Sequence, residues 1–138
     1  MKPLRPDFAC LCDNSHTDAG GKLNIIGIFE NIFAKKFPAV HPQMVLSATF
    51  FIDSQEKEFD FTFKVQIIEK GKSEPIQKIE GTSDVRREDV KNNQKFNFIL
   101  NFQNVEFKNP GDYYLEIYLN DELVKTCDFG VVKLESVK

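Results

Sequence analysis

The apolar positions of this chain recur at every second residue, not at every third or fourth. Phe59, Phe61, Phe63, Val65 and Ile67 alternate with Asp60, Thr62, Lys64 and Gln66. That is the pattern of a strand with one face on a core and one in water. Phe96, Phe98, Leu100 and Phe102 repeat it, with Asn97 and Asn101 on the opposite face. Tyr113, Leu115, Ile117 and Leu119 do the same against Tyr114, Glu116 and Tyr118. Such segments predict antiparallel sheets with one solvated side. Met44 to Ile52 is instead a nearly continuous apolar run, which predicts a central strand covered on both faces.

Other strands are expected over 8–13, 22–29 and 75–80, with a polar loop from Asn14 to Gly21. Leu119-Asn120-Asp121-Glu122-Leu123 reads as a hairpin, because Asn and Asp tolerate positive φ. The last strand should run from Leu123 to Leu134, interrupted or bulged at Gly130. Ser83 to Asn92 has only Val85 and Val90 as apolar residues; it reads as a helical turn or a solvated loop. Eight or nine strands with little or no helix, at intervals of roughly 8–14 residues, predict an all-β fold, an antiparallel β-sandwich. No linker or repeat divides the chain, so one domain over residues 1–138 is expected.

One turn sharpens the class. Asn109-Pro110-Gly111-Asp112-Tyr113 resembles the tyrosine corner of immunoglobulin-like sandwiches, with Asn109 in place of the usual Asp. Leu115 stands where antibody domains place their second Cys, so the inter-sheet disulfide is absent. Further matches are Cys12-Asp13, Gly21-Lys22-Leu23, Ile26-Gly27-Ile28-Phe29, Phe37-Pro38-Ala39 and Pro110-Gly111-Asp112-Tyr113. On these residues the chain resembles a family of small uncharacterised bacterial proteins. Nothing between Asp53 and Lys95 contributes. The resemblance implies a compact all-β domain and transfers no catalytic or binding residue.

Charge and cysteine narrow the function. Eighteen Lys and Arg against 21 Asp and Glu give a net charge of −3, without the basic stripe that binds phosphate backbones. Lys35-Lys36 and Arg86-Arg87 read as solvated loop charges. Neither nucleic acid nor membrane is an expected partner, and no apolar stretch is long enough to cross a bilayer or to form a secretory signal. Three cysteines cannot form a complete disulfide set. Reduced, buried thiols in a cytoplasmic protein are the simplest reading.

Candidate chemistry is sparse. Cys10, Cys12 and His16, beside Asp13 and Asp18, are the one cluster that could hold a metal or serve a small hydrolytic enzyme. The opposing reading is two core thiols leading into a hairpin. Counting from Asp13, an EF-hand fails because position 6 is Asp18 and position 12 is Asn24. His16 and His41 are the only histidines, and neither lies in a catalytic motif. No cofactor and no enzymatic activity are expected. Tyr114, Glu116 and Tyr118 could present a sugar or small-ligand platform, although cross-strand packing explains them as well. The connector Glu30 to Gln43 carries Ile32, Phe33, Phe37, Val40 and His41 between prolines. These residues either close one end of the core or form an apolar patch for a protein partner or a second copy. A non-catalytic binding or structural module is the reading that follows.

Overall fold

Nine strands account for most of the residues described by the computed structural model, which are 2–91 and 94–135. They are β1 (Leu4–Thr17), β2 (Leu23–Ile28), β3 (Asn31–Ala34), β4 (Ala39–Ile52), β5 (Glu58–Glu69), β6 (Pro75–Arg86), β7 (Lys95–Phe107), β8 (Gly111–Leu119) and β9 (Glu122–Lys133). No helix occurs among the described residues. One sheet has the order β2-β1-β4-β7 and the other β3-β9-β8-β5-β6. Pairing is antiparallel except between β3 and β9, which run parallel.

The inward-facing residues of both sheets form one core. Phe61, Val65, Ile67, Leu115 and Ile117 meet Met44, Leu46, Phe98 and Phe102, all buried. The alternation read from the sequence therefore corresponds to the packed face. Aromatic contacts join the two layers: Phe61 lies edge-on to Phe96 at 5.7 Å and Phe63 to Phe98 at 5.3 Å. Fully burying one such side chain is worth about 1.5–3 kcal/mol, and Phe61 and Phe98 are buried while Phe63 and Phe96 are partly so. At the end of the sandwich Phe107 lies edge-on to Tyr113 at 5.0 Å. Tyr113 Oη donates to the Asn109 carbonyl at 2.6 Å, closing the tyrosine corner. The fold is an immunoglobulin-like β-sandwich.

β4 is covered on both faces, as its continuous apolar run requires. Met44, Val45, Leu46, Ser47 and Ala48 are all buried. One face meets the other sheet. The β1–β2 hairpin folds over the second face: Ser15 Oγ lies 2.8 Å from Ser47 Oγ, and Asn97 Nδ2 reaches the Gly21 carbonyl at 3.5 Å. Ser15 Oγ also donates to the Asn24 carbonyl at 3.0 Å, so the buried hydroxyl pair is satisfied.

Four local expectations are corrected. Asn14 to Thr17 continue β1, and the turn begins only at Asp18. Its carboxylate there accepts the Gly20 and Lys22 amides, each at 2.9 Å. Ser83 to Arg86 belong to β6, paired with β5 as far as Glu58; the pairing of two 12-residue strands overrides the weak helix signal. Asn92 lies outside the described residues. Gly130 carries no bulge, and the β8–β9 irregularity falls between Ile117 and Tyr118 instead. Arg87 is buried, not a solvated loop charge: its guanidinium donates to the carbonyls of Ser54 and Glu56.

Candidate functional site

The connector from Glu30 to Gln43 is mostly strand. It supplies all of β3 and the start of β4, so its apolar residues are distributed by strand alternation and not gathered in one loop. Ile32 points into the core and is 6% exposed. Phe37 is half-buried against the same core. His41 is half-buried, its ring 6.0 Å from Phe29. Val40 is exposed but pairs with Glu106 in the other sheet. The five residues thus do not form one patch, and Ile32 has little to offer a partner. Of the five, Phe33 stands out on the β3 edge, 59% exposed.

The neighbours of Phe33 come from β9, which sequence reasoning did not connect to it. Parallel register places Phe33 beside Val132 and Asn31 beside Gly130. Val132 and Leu134 are exposed large apolar residues, and the Leu134 amide donates to the Ala34 carbonyl at 2.8 Å. A Cβ on Gly130 would stand 2.6 Å from Asn31 Oδ1, so a glycine there lets the β3 side chain lie across β9. Beyond this apolar strip lies an open groove of about 510 Å³, where Glu30, Asp112 and Asp128 outnumber Lys70 beside Asn31 and Tyr114. Apolar side chains and the acidic end of the strand therefore share one sheet margin. The only local hint was the Val131-Val132 pair in the last strand; a parallel pairing has no short-range signature.

The Cys10, Cys12 and His16 cluster does not assemble. Four strand steps separate Cys12 from His16, up to about 13 Å at 3.3 Å per residue. Among the described residues no three His, Cys, Asp or Glu side chains converge as metal ligands. Cys12 is buried, and its thiol lies 3.6 Å from the Val45 carbonyl. Burial pushes it up to about 11, and burial likewise raises Cys10 and Cys127. All three therefore lack the thiolate character of a nucleophile at neutral pH. Asp18 is held below its ordinary value by hydrogen bonds, first from the Lys22 backbone and then from Asn24; it builds the turn.

The tyrosine platform is partly occupied by its own sheet. Lys64 Nζ sits 4.3 Å from the centre of the Tyr118 ring. Gln66 Nε2 donates to Glu116 Oε1 at 2.8 Å. Tyr114, paired opposite Asp128, is left lining the groove. Two of the three residues named for a sugar are thus engaged in cross-strand contacts.

Comparison with known proteins agrees with the fold. The model of a family of unknown function, DUF6941, matches residues 7–132, including the middle stretch that carried no recognisable motif. No curated protein matches the chain. Among solved structures, the alkylpurine DNA glycosylase AlkC of Pseudomonas fluorescens, bound to DNA containing an abasic site analog, superposes with a TM-score of 0.58 at 7% identity. The match covers 94% of this chain and 30% of that one, so the chain spans less than a third of the glycosylase. An immunoglobulin-like protein of Pseudomonas aeruginosa gives a TM-score of 0.45 at 12% identity, over 94% of this chain and 96% of its own.

Proposed function

We propose that this chain, which belongs to the family of unknown function DUF6941, is a non-catalytic module that binds a protein surface through its β3 edge. One observation carries the reading: Phe33 on the edge strand β3 and Val132 on its neighbour β9 are exposed side by side at the margin of a sheet. Large apolar side chains in such a position lose water contact when a partner covers them. An edge strand also offers main-chain groups that a second chain can pair with. The apolar strip supplies affinity and the acidic groove beside it supplies orientation. The three free thiols support a reducing, cytoplasmic setting for this work.

The test is affinity capture from the native cell with wild type, Phe33→Asp and Thr82→Asp. Thr82 is an exposed β6 residue on the far margin of the same sheet. Proteins retained by wild type and Thr82→Asp should be lost with Phe33→Asp, while all three keep the same β-sheet circular dichroism. Equal retention by a folded Phe33→Asp overturns the reading.

A further inference from the structure

The hydrogen bonding of β3 is one-sided. The Gly130 amide donates to the Glu30 carbonyl at 2.9 Å, and the Leu134 amide to the Ala34 carbonyl at 2.8 Å. With Asn31 beside Gly130 and Phe33 beside Val132, the parallel ladder uses the main-chain groups of Glu30, Ile32 and Ala34. Those of Asn31 and Phe33 point the other way, along the open edge, since β3 ends its sheet. Charge divides along the same edge: Glu30 precedes the strand and Lys35-Lys36 follow it, all exposed.

We infer that the partner recognised at this edge is a second copy of the chain, added antiparallel through β3 about a two-fold axis at Phe33. This rests on the protein-binding reading above and deepens it. Pairing about Phe33 sets Phe33 opposite the partner's Phe33 and brings Glu30, in the bend before β3, beside the bend that carries the partner's Lys35 and Lys36. Phe33 supplies the free amide and carbonyl that the central pair exchanges. Both rings fall on the outer face, and the two-fold repeats each opposite-charge pair. A slip of one residue would set outward Phe33 against inward Ile32. A slip of two, centred on Ile32, would set Glu30 against the partner's Ala34 and forfeit the charge match. A parallel arrangement would bring like charges together. The result is a continuous ten-stranded sheet made from two five-stranded ones.

Sedimentation velocity over a micromolar-to-millimolar series, on the intact chain, tests this. Wild type should pass reversibly from monomer to dimer. Glu30→Lys and Lys36→Glu should each weaken the dimer about tenfold, since each reversal acts twice. The double swap, E30K with K36E, should return to near the wild-type constant. Phe33→Pro should abolish dimerisation while leaving the monomer's melting temperature close to wild type, because it removes an amide that only a partner strand uses. A wild type that stays monomeric at every concentration overturns self-pairing. So does a dimer indifferent to both charge reversals or one that the double swap fails to rescue. If wild type stays monomeric while Phe33→Asp still loses a captured protein, only the second copy is refuted and the binding edge stands.

Discussion

Tyr113 closes the end of the sandwich by donating its hydroxyl to the Asn109 carbonyl at 2.6 Å, across the Pro110-Gly111 turn that leads into β8. The same ring stacks on Phe129 at 5.7 Å and receives the edge of Phe107 at 5.0 Å. One residue thus ties a turn, the last strand and the opposite sheet together. Tyr113→Phe keeps the packing and removes only the bond, which should cost about 1–2 kcal/mol in urea unfolding. Tyr113→Ala also removes the packing and should cost about 3–5 kcal/mol. Equal costs for the two would show that the hydroxyl, not the ring, does most of the work.

Arg87 holds the 54–57 loop against the end of β6. Its side chain donates to the Ser54 and Glu56 carbonyls, and its amide to the Lys57 carbonyl at 3.0 Å. Arg87→Met leaves buried carbonyls without these charged donors and should destabilise the fold by about 2–3 kcal/mol. Arg87→Lys should recover only part of this, because an ammonium lacks the planar fork that reaches two carbonyls at once. Chemical denaturation of the three proteins decides it; a Met variant as stable as wild type would refute the pinning role.

Strands whose faces differ in polarity were the legible part of this fold. β5, β7 and β8 alternate residue by residue, and Phe61, Phe98 and Leu115 lie in the core as that pattern requires. The run from Met44 also announced a strand covered twice. What covers it was hidden, because the β1–β2 hairpin does so with Ser15 and polar turn residues that read as a loop. β3 was hidden for a different reason. Four residues carry too little alternation, and its parallel partner lies about a hundred residues away in a register with no local mark. The connector residues Ile32, Phe33, Phe37, Val40 and His41 were therefore read as one group, and the separation of exposed Phe33, beside Val132, from inward Ile32 required the pairing itself. Arg87 misled because a charged doublet looks solvated until its carbonyl partners fold around it.

Gly27 sits in β2 at φ 70°, where a side chain strains the backbone. A Cβ there would also stand 2.9 Å from the Asp13 Cγ. Gly71, at φ 87°, has no neighbour near its Cβ position. Gly71→Ala should therefore cost about 1–2 kcal/mol from the backbone alone, and Gly27→Ala measurably more. Adding Asp13→Ala to Gly27→Ala should bring the cost down toward that of Gly71→Ala, as a double-mutant cycle in thermal or urea unfolding would reveal. An additive cycle would show that the carboxylate simply moves aside.

Cys12 makes the fold less stable as the pH rises into the alkaline range. Burial raises its thiol from 9.0 to about 11. The unfolded chain therefore loses this proton at lower pH than the folded one. Between these values unfolding releases a proton, so stability falls as pH rises. The contribution is fully present below about pH 9 and is lost progressively through about pH 11. Cys10, Cys127 and Tyr113 are also raised, burial being the largest cause for each, so they add to the same slope. Urea midpoints measured from neutral to strongly alkaline pH should decline more steeply for wild type than for Cys12→Ala, whatever the offset between the two at neutral pH. A thiol reagent should modify Cys12 only as fast as the protein opens, and Cys10 sooner, because Cys10 is only half-buried. Parallel slopes for wild type and Cys12→Ala, or rapid labelling of Cys12 in the folded protein, would contradict a thiol buried between β2 and β4.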